Sequence, residues 1–293
     1  MSYKAEDWIL HATFGIGKVL EVDGGKLTIR FLQSGERKVM DSPQVQPTAK
    51  PSNEPVLPKA KRSADKPLNT SSVPKYTFQQ LIDNFNSNYP GGFESHKFAD
   101  QERKNKHEAA KMLASELSEE RFSELLRAAQ YSTIAKLAKG VVQKTNLVFS
   151  MEKAKFTDAL KLPHNQDLFS HALFDLLYGQ GNKEQRFAAF VDLLATIGAC
   201  KWTISTYFQF LFTKGEMMFM KPKYAKAVAD SLGMSLNYRT DPNWLTYKSL
   251  QDVSKKLESE LRSRGLCPES GIDLQSFMFC SVQLADRISG KVE

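Results

Sequence analysis

The sequence predicts two folded parts of different class: a small all-β barrel at the N-terminus and a larger, mainly α-helical domain with one candidate β-hairpin. Three observations carry this. Short apolar runs punctuated by glycine turns fill the N-terminal stretch, and seven of the twelve prolines fall between residues 42 and 75. From Tyr76 onward, apolar residues recur at helical spacing. The boundaries therefore fall at 1–43 for the barrel, 44–75 for a tether and 76–293 for the helical domain.

Within the barrel, Trp8–Leu10 and Lys18–Val22 are short and apolar-rich. Lys26–Phe31 alternates with period two, which puts Leu27, Ile29 and Phe31 on one face and Lys26, Thr28 and Arg30 on the other. Asp23-Gly24-Gly25 and Ser34-Gly35 supply the turns, because glycine accepts the positive φ of tight hairpins. Strands this short bury their faces by curling. Phe14-Gly15-Ile16-Gly17-Lys18 is not a nucleotide-binding loop: Ala12 stands where the first glycine belongs, and Val19 follows the lysine in place of Ser or Thr.

The run His11-Ala12-Thr13-Phe14-Gly15-Ile16-Gly17-Lys18-Val19, with Val22-Asp23-Gly24, Leu27–Phe31 and Gly35–Val39, resembles the SH3/Tudor-like module at the C-terminus of UvrD-type DNA repair helicases. More distantly it is similar to the RNA-polymerase-interacting domain of CarD-type transcription factors. The resemblance covers residues 5–43 and implies docking onto RNA polymerase or a DNA-processing complex rather than catalysis. No helicase motor follows, so only the adaptor role carries over. Trp8, Phe14, Lys18, Arg30 and Arg37 form the candidate binding surface. Equally, Trp8, Phe14 and Phe31 are the large side chains available for a core.

Composition shifts abruptly after residue 43. The tether is rich in Pro, Ser, Thr and Lys and nearly devoid of large apolar residues, so nothing offsets the entropy of folding it. The chain's net charge is +7, of which +4 lies on residues 44–75 and none on residues 1–43. Lys59, Lys61 and Arg62 are the densest basic cluster and the candidate phosphate contacts, by counterion release.

The helical domain opens with Phe78, Leu81, Ile82 and Phe85 at helical spacing, stopped by Tyr89-Pro90-Gly91-Gly92. Helices follow over 102–117, after a Ser118 cap, and over 168–178, 186–197 and 245–261, the last closed by Gly265. Tyr207–Phe212 and Glu216–Met220 around Thr213-Lys214-Gly215 read as a hairpin or a deeply buried crossing, with Pro222 opening the next helix. Lys201-Trp202, Phe219–Pro222, Trp244–Tyr247 and Ile272–Phe277 are similar to a helical domain of bacterial proteins linked to restriction and phage defence, which supplies no catalytic motif. Its candidate binding residues are the polar ones in apolar settings: Lys201, Lys221, Tyr247, Asp273 and Gln275. Structural roles are also open to two of them, since Asp273 can cap the final helix and Lys221 can snorkel beside Pro222.

No catalytic, metal-ligating or cofactor motif stands in the sequence, and the scattered histidines fit no metal site. Two acid plus Glu-x-Lys patterns can be drawn, Asp83 with Glu102 and Lys104, and Asp23 with Glu36 and Lys38. Metal-dependent nucleases need such groups on one face, and Glu102 and Lys104 lie on opposite sides of a helix. Cys200, Cys267 and Cys280 read as buried free thiols. No signal peptide or membrane span is evident, so a cytoplasmic protein is expected. The reading is a non-catalytic adaptor of nucleic-acid machinery, with the barrel on a protein partner or nucleic acid and the helical domain on a second partner. The alternatives are a metal-dependent nuclease and a phage-defence effector.

Overall fold

A computed structural model describes residues 3–11, 14–31, 35–41, 45–49 and 74–288. Two compact units divide at residue 64. The N-terminal unit is a five-stranded antiparallel sheet of β1 (Trp8–His11), β2 (Gly15–Asp23), β3 (Lys26–Phe31), β4 (Gly35–Met40) and β5 (Val45–Pro47), in the order β4-β3-β2-β1-β5. Ile9, Val19, Leu27, Ile29, Phe31 and Val45 fill its core, as the alternation of β3 requires. Gly17 sits where a Cβ would lie 2.6 Å from both the Ile29 and Phe31 side chains, so this glycine is a packing necessity.

Two expectations need correction here. Among the described residues β4 and β5 are not paired, so the sheet has open edges where a closed barrel was expected. Closure would require β5 to reach β4, and its three residues are all engaged with β1. The sheet also extends past residue 43, because Val45–Pro47 pairs with His11–Ile9. Lys59, Lys61 and Arg62 lie outside the described residues.

The C-terminal unit is helical throughout its described length: α1 (Phe78–Asn88), α2 (His96–Phe98), a π-helical turn (Ala99–Arg103), α3 (Lys104–Glu116), α4 (Glu119–Arg127), α5 (Tyr131–Gln143), α6 (Ser150–Ala159), α7 (Pro163–Tyr178), α8 (Lys183–Thr196), α9 (Trp202–Phe212), α10 (Pro222–Ser231), α11 (Trp244–Arg262) and α12 (Gly271–Ile288). Local chemistry sets many ends. Thr77 and Gln80 form a reciprocal capping box on α1, Ser118 accepts the Arg121 N–H of α4, and Pro163 and Pro222 begin α7 and α10.

Two hydrophobic cores fill this unit. One is built mainly from α1 and α10–α12, around Phe85, Val228, Leu250 and Phe277; the other mainly from α3–α9, around Leu113, Phe169, Phe190 and Phe208. The expected hairpin is instead the C-terminal half of α9 followed by an irregular extended segment. Residues Trp202–Leu211 of α9 are all buried, and an apolar run buried all round cannot be assigned to strand or helix by periodicity. The segment after it threads between the cores: Met217, Met218 and Met220 belong to the first and Phe219 to the second. Its backbone is satisfied by side chains, with Met218 N–H donating to Gln251 Oε1 at 3.0 Å and Met220 N–H to Thr206 Oγ1 at 3.0 Å.

Of the cysteines, Cys280 is buried, Cys200 half-buried and Cys267 exposed, so the expectation of three buried thiols holds fully for one. No described helix is long and apolar enough to cross a membrane.

Candidate functional site

In the sheet unit, register sorts the five proposed surface residues onto two faces. Trp8 pairs with Lys18 and Lys18 with Arg30, a lateral row across β1, β2 and β3 on the face opposite the core. Lys18 also pairs with Glu6. Trp8 itself is buried, whereas Leu10 on the same face is 44 % exposed and Met40, opposite Lys26, is 59 % exposed. Phe14 and Arg37 lie on the other side. Phe14 packs on the core, stacks on His11 with centroids 4.6 Å apart, and carries the Arg37 guanidinium 5.0 Å above its ring. His11 Nδ1 accepts the Phe14 N–H at 3.3 Å, which gives the His-x-x-Phe spacing a local structural role.

In the helical unit, the extended segment ends by delivering Lys221 into the seam between the cores. Lys221 is 7 % exposed, and its Nζ stands 4.5 Å from the Phe279 ring centroid, 4.6 Å from Phe149 and 5.7 Å from Tyr224. No carboxylate or carbonyl lies within hydrogen-bonding distance of that ammonium. Burial, reinforced by the charge of Lys106, holds its pKa down to about 8.

Around it lies a buried polar cluster. Lys106, on the inward stripe of α3 with Ala109 and Leu113, donates to the Glu102 carboxylate at 2.8 Å and the Glu102 carbonyl at 2.7 Å. The π-helical turn places Glu102 in that position, and single π turns recur at functional sites. Tyr89 OH contacts Cys280 Sγ at 3.7 Å, and burial together with the charge of Glu102 pushes the Cys280 thiol up to about 12. Glu152 accepts a hydrogen bond from Thr203 at 2.8 Å. Beside the cluster, Arg103 grips Asp273 through two hydrogen bonds of 2.8 and 2.7 Å and pairs with Glu269.

The structure thus disperses the five helical-domain candidates. Lys221 is central, and Asp273 is the buried partner of Arg103, in the first turn of α12, where it also accepts the Glu269 N–H. Gln275 is buried, with its Oε1 lacking a hydrogen-bond partner. Tyr247 is a core residue stacked on Phe187 at 4.5 Å, and Lys201 is exposed at the start of α9. Sequence reading missed Arg103, Lys106 and Cys280 as members of a site. Lys106 was detectable: it interrupts the apolar stripe that Ala109 and Leu113 continue.

The drawn nuclease set does not assemble. Asp83 is exposed and bonded to Gln79, Glu102 is buried against Lys106, and Lys104 is exposed. Among the described residues, no three His, Cys, Asp or Glu side chains gather as a metal site. Comparison of the chain with protein families, with curated proteins and with solved structures finds no match in any of the three, so a functional reading rests on this geometry and its chemistry.

Proposed function

We propose that the protein is a non-catalytic adaptor of nucleic-acid machinery, whose N-terminal sheet docks on a protein partner, RNA polymerase or a helicase or repair complex, while the helical unit engages a second partner. The observation that carries this reading is the Lys18–Arg30 row beside exposed Leu10 on the face turned away from the core. Basic side chains interleaved with exposed apolar ones on a small sheet are the material of a recognition surface, with charge setting encounter and apolar contact setting lifetime. The SH3/Tudor-like resemblance supports the same role.

The test is direct binding of the full chain to purified RNA polymerase, to a UvrD-type helicase and to duplex DNA, with Lys18→Glu/Arg30→Glu beside the wild type. The adaptor reading expects one of the two proteins to bind and the double variant to lose at least about tenfold in affinity. DNA binding alone, lost as salt rises, would move the docking target from protein to nucleic acid.

A further inference from the structure

We propose that the aromatic cage around Lys221 is a binding site for a terminal phosphate carried next to a nucleobase, as in a mononucleotide or the phosphorylated end of a strand. This site lies in the helical unit, and its failure leaves the reading of the sheet untouched.

The argument begins with the charges in the seam. Each of the other groups already has its partner: Glu102 holds Lys106, Glu152 takes the Thr203 hydroxyl, and the Cys280 thiol is kept neutral by burial. Lys221 alone among them faces only ring faces, from Phe149, Phe279 and Tyr224. Rings attract a cation weakly compared with an oxyanion, and they leave three N–H donors without acceptors. A nine-tenths-buried ammonium in that position carries a desolvation cost that an incoming anion would relieve.

The cage has an outlet. Phe149 is 56 % exposed although it covers Lys221, an unusual exposure for a large aromatic beside a buried cation. An oxyanion on Lys221 would place whatever it carries against this ring, and a flat heterocycle is the group that an exposed phenyl face stacks with best. Lys221 is also the residue preceding α10, a ten-residue helix whose N-terminal dipole favours negative charge in the same place.

The experiment is calorimetric titration of the full chain with inorganic phosphate, adenosine 5′-monophosphate, and a short single-stranded oligonucleotide with and without its 5′-phosphate. The proposal expects the mononucleotide or the 5′-phosphorylated strand to bind more tightly than inorganic phosphate. Which of those two binds identifies the source. Lys221→Met, an apolar replacement suited to a cage of rings, should weaken binding about tenfold or more while remaining folded. Phe149→Ala, at an exposed position, should erase the advantage over inorganic phosphate. A second readout comes from isotope-labelled methylation of lysines: the Lys221 resonance should titrate near pH 8 in the free protein and at higher pH with ligand bound. No binding by any probe, equal binding by Lys221→Met, or no preference over inorganic phosphate would each overturn the proposal.

Discussion

At the scale of single residues, the helical unit holds charges in places that make pH a probe of its structure. The Lys221 ammonium is less favourable in the folded state than in the unfolded chain, where a lysine titrates at about 10.4. Between about pH 8 and pH 10 the unfolded chain therefore binds the extra proton, and stability rises with pH over that window. In ligand-free protein, the advantage of Lys221→Met over the wild type in urea unfolding should shrink as pH climbs from 8 to 10. Asp286 has the opposite sign. Burial alone would raise its pKa, but Lys75, Tyr76 and Lys223 donate to it and hold it down to about 2. Its contribution is present above about pH 4 and is lost as pH falls toward 2. Because both lysines are about half exposed, a discounted value of about 1–2 kcal/mol is expected. Asp286→Asn should cost that much at pH 6 and progressively less between pH 4 and pH 2. The Glu102–Lys106 pair sets a third test. Lys106→Met alone strands a buried carboxylate and should cost about 3–5 kcal/mol, whereas Lys106→Met with Glu102→Gln should cost clearly less.

At the scale of elements, the site depends on how α9 hands the chain to α10. The turn at Gly215 lies directly against the start of α12, so that a Cβ on Gly271 would stand 2.1 Å from the Gly215 carbonyl oxygen. Gly215 itself has φ +94°. Alanine at position 271 gains helix propensity worth at most about 1 kcal/mol, yet the clash is with backbone that cannot rotate away. Gly271→Ala should therefore lower stability by about 2–3 kcal/mol, read as a fall in the urea midpoint with unchanged slope. Much of this level was legible in the sequence. Capping residues and prolines announced α1, α4, α7 and α10, and the alternation of β3 announced its buried face. What escaped was of two kinds. An apolar run such as Tyr207–Phe212, buried all round, carries no periodicity to separate helix from strand. The π turn at Ala99–Arg103 has no sequence signature, yet it sets the direction of Glu102 and Arg103 and so decides which acids meet which bases.

At the scale of the whole molecule, the chain combines a small sheet, whose outward face mixes Lys18 and Arg30 with exposed Leu10, and a helical unit with two cores and a polar seam. The division into two units was readable from the proline-rich stretch, although β5 shows the sheet reaching beyond the shift in composition. The residues of the seam were only partly readable, because Lys221, Lys106 and Cys280 are far apart in sequence and meet only through tertiary packing. The adaptor account places recognition on the sheet, so it stands or falls with that face. The most direct test is the affinity of the full chain for RNA polymerase and for a UvrD-type helicase, measured for the wild type and for Lys18→Glu/Arg30→Glu. The account predicts that one of the two proteins is bound and that the charge reversal weakens it at least about tenfold without lowering Tm. Binding of neither protein, or equal binding by wild type and variant, would contradict it.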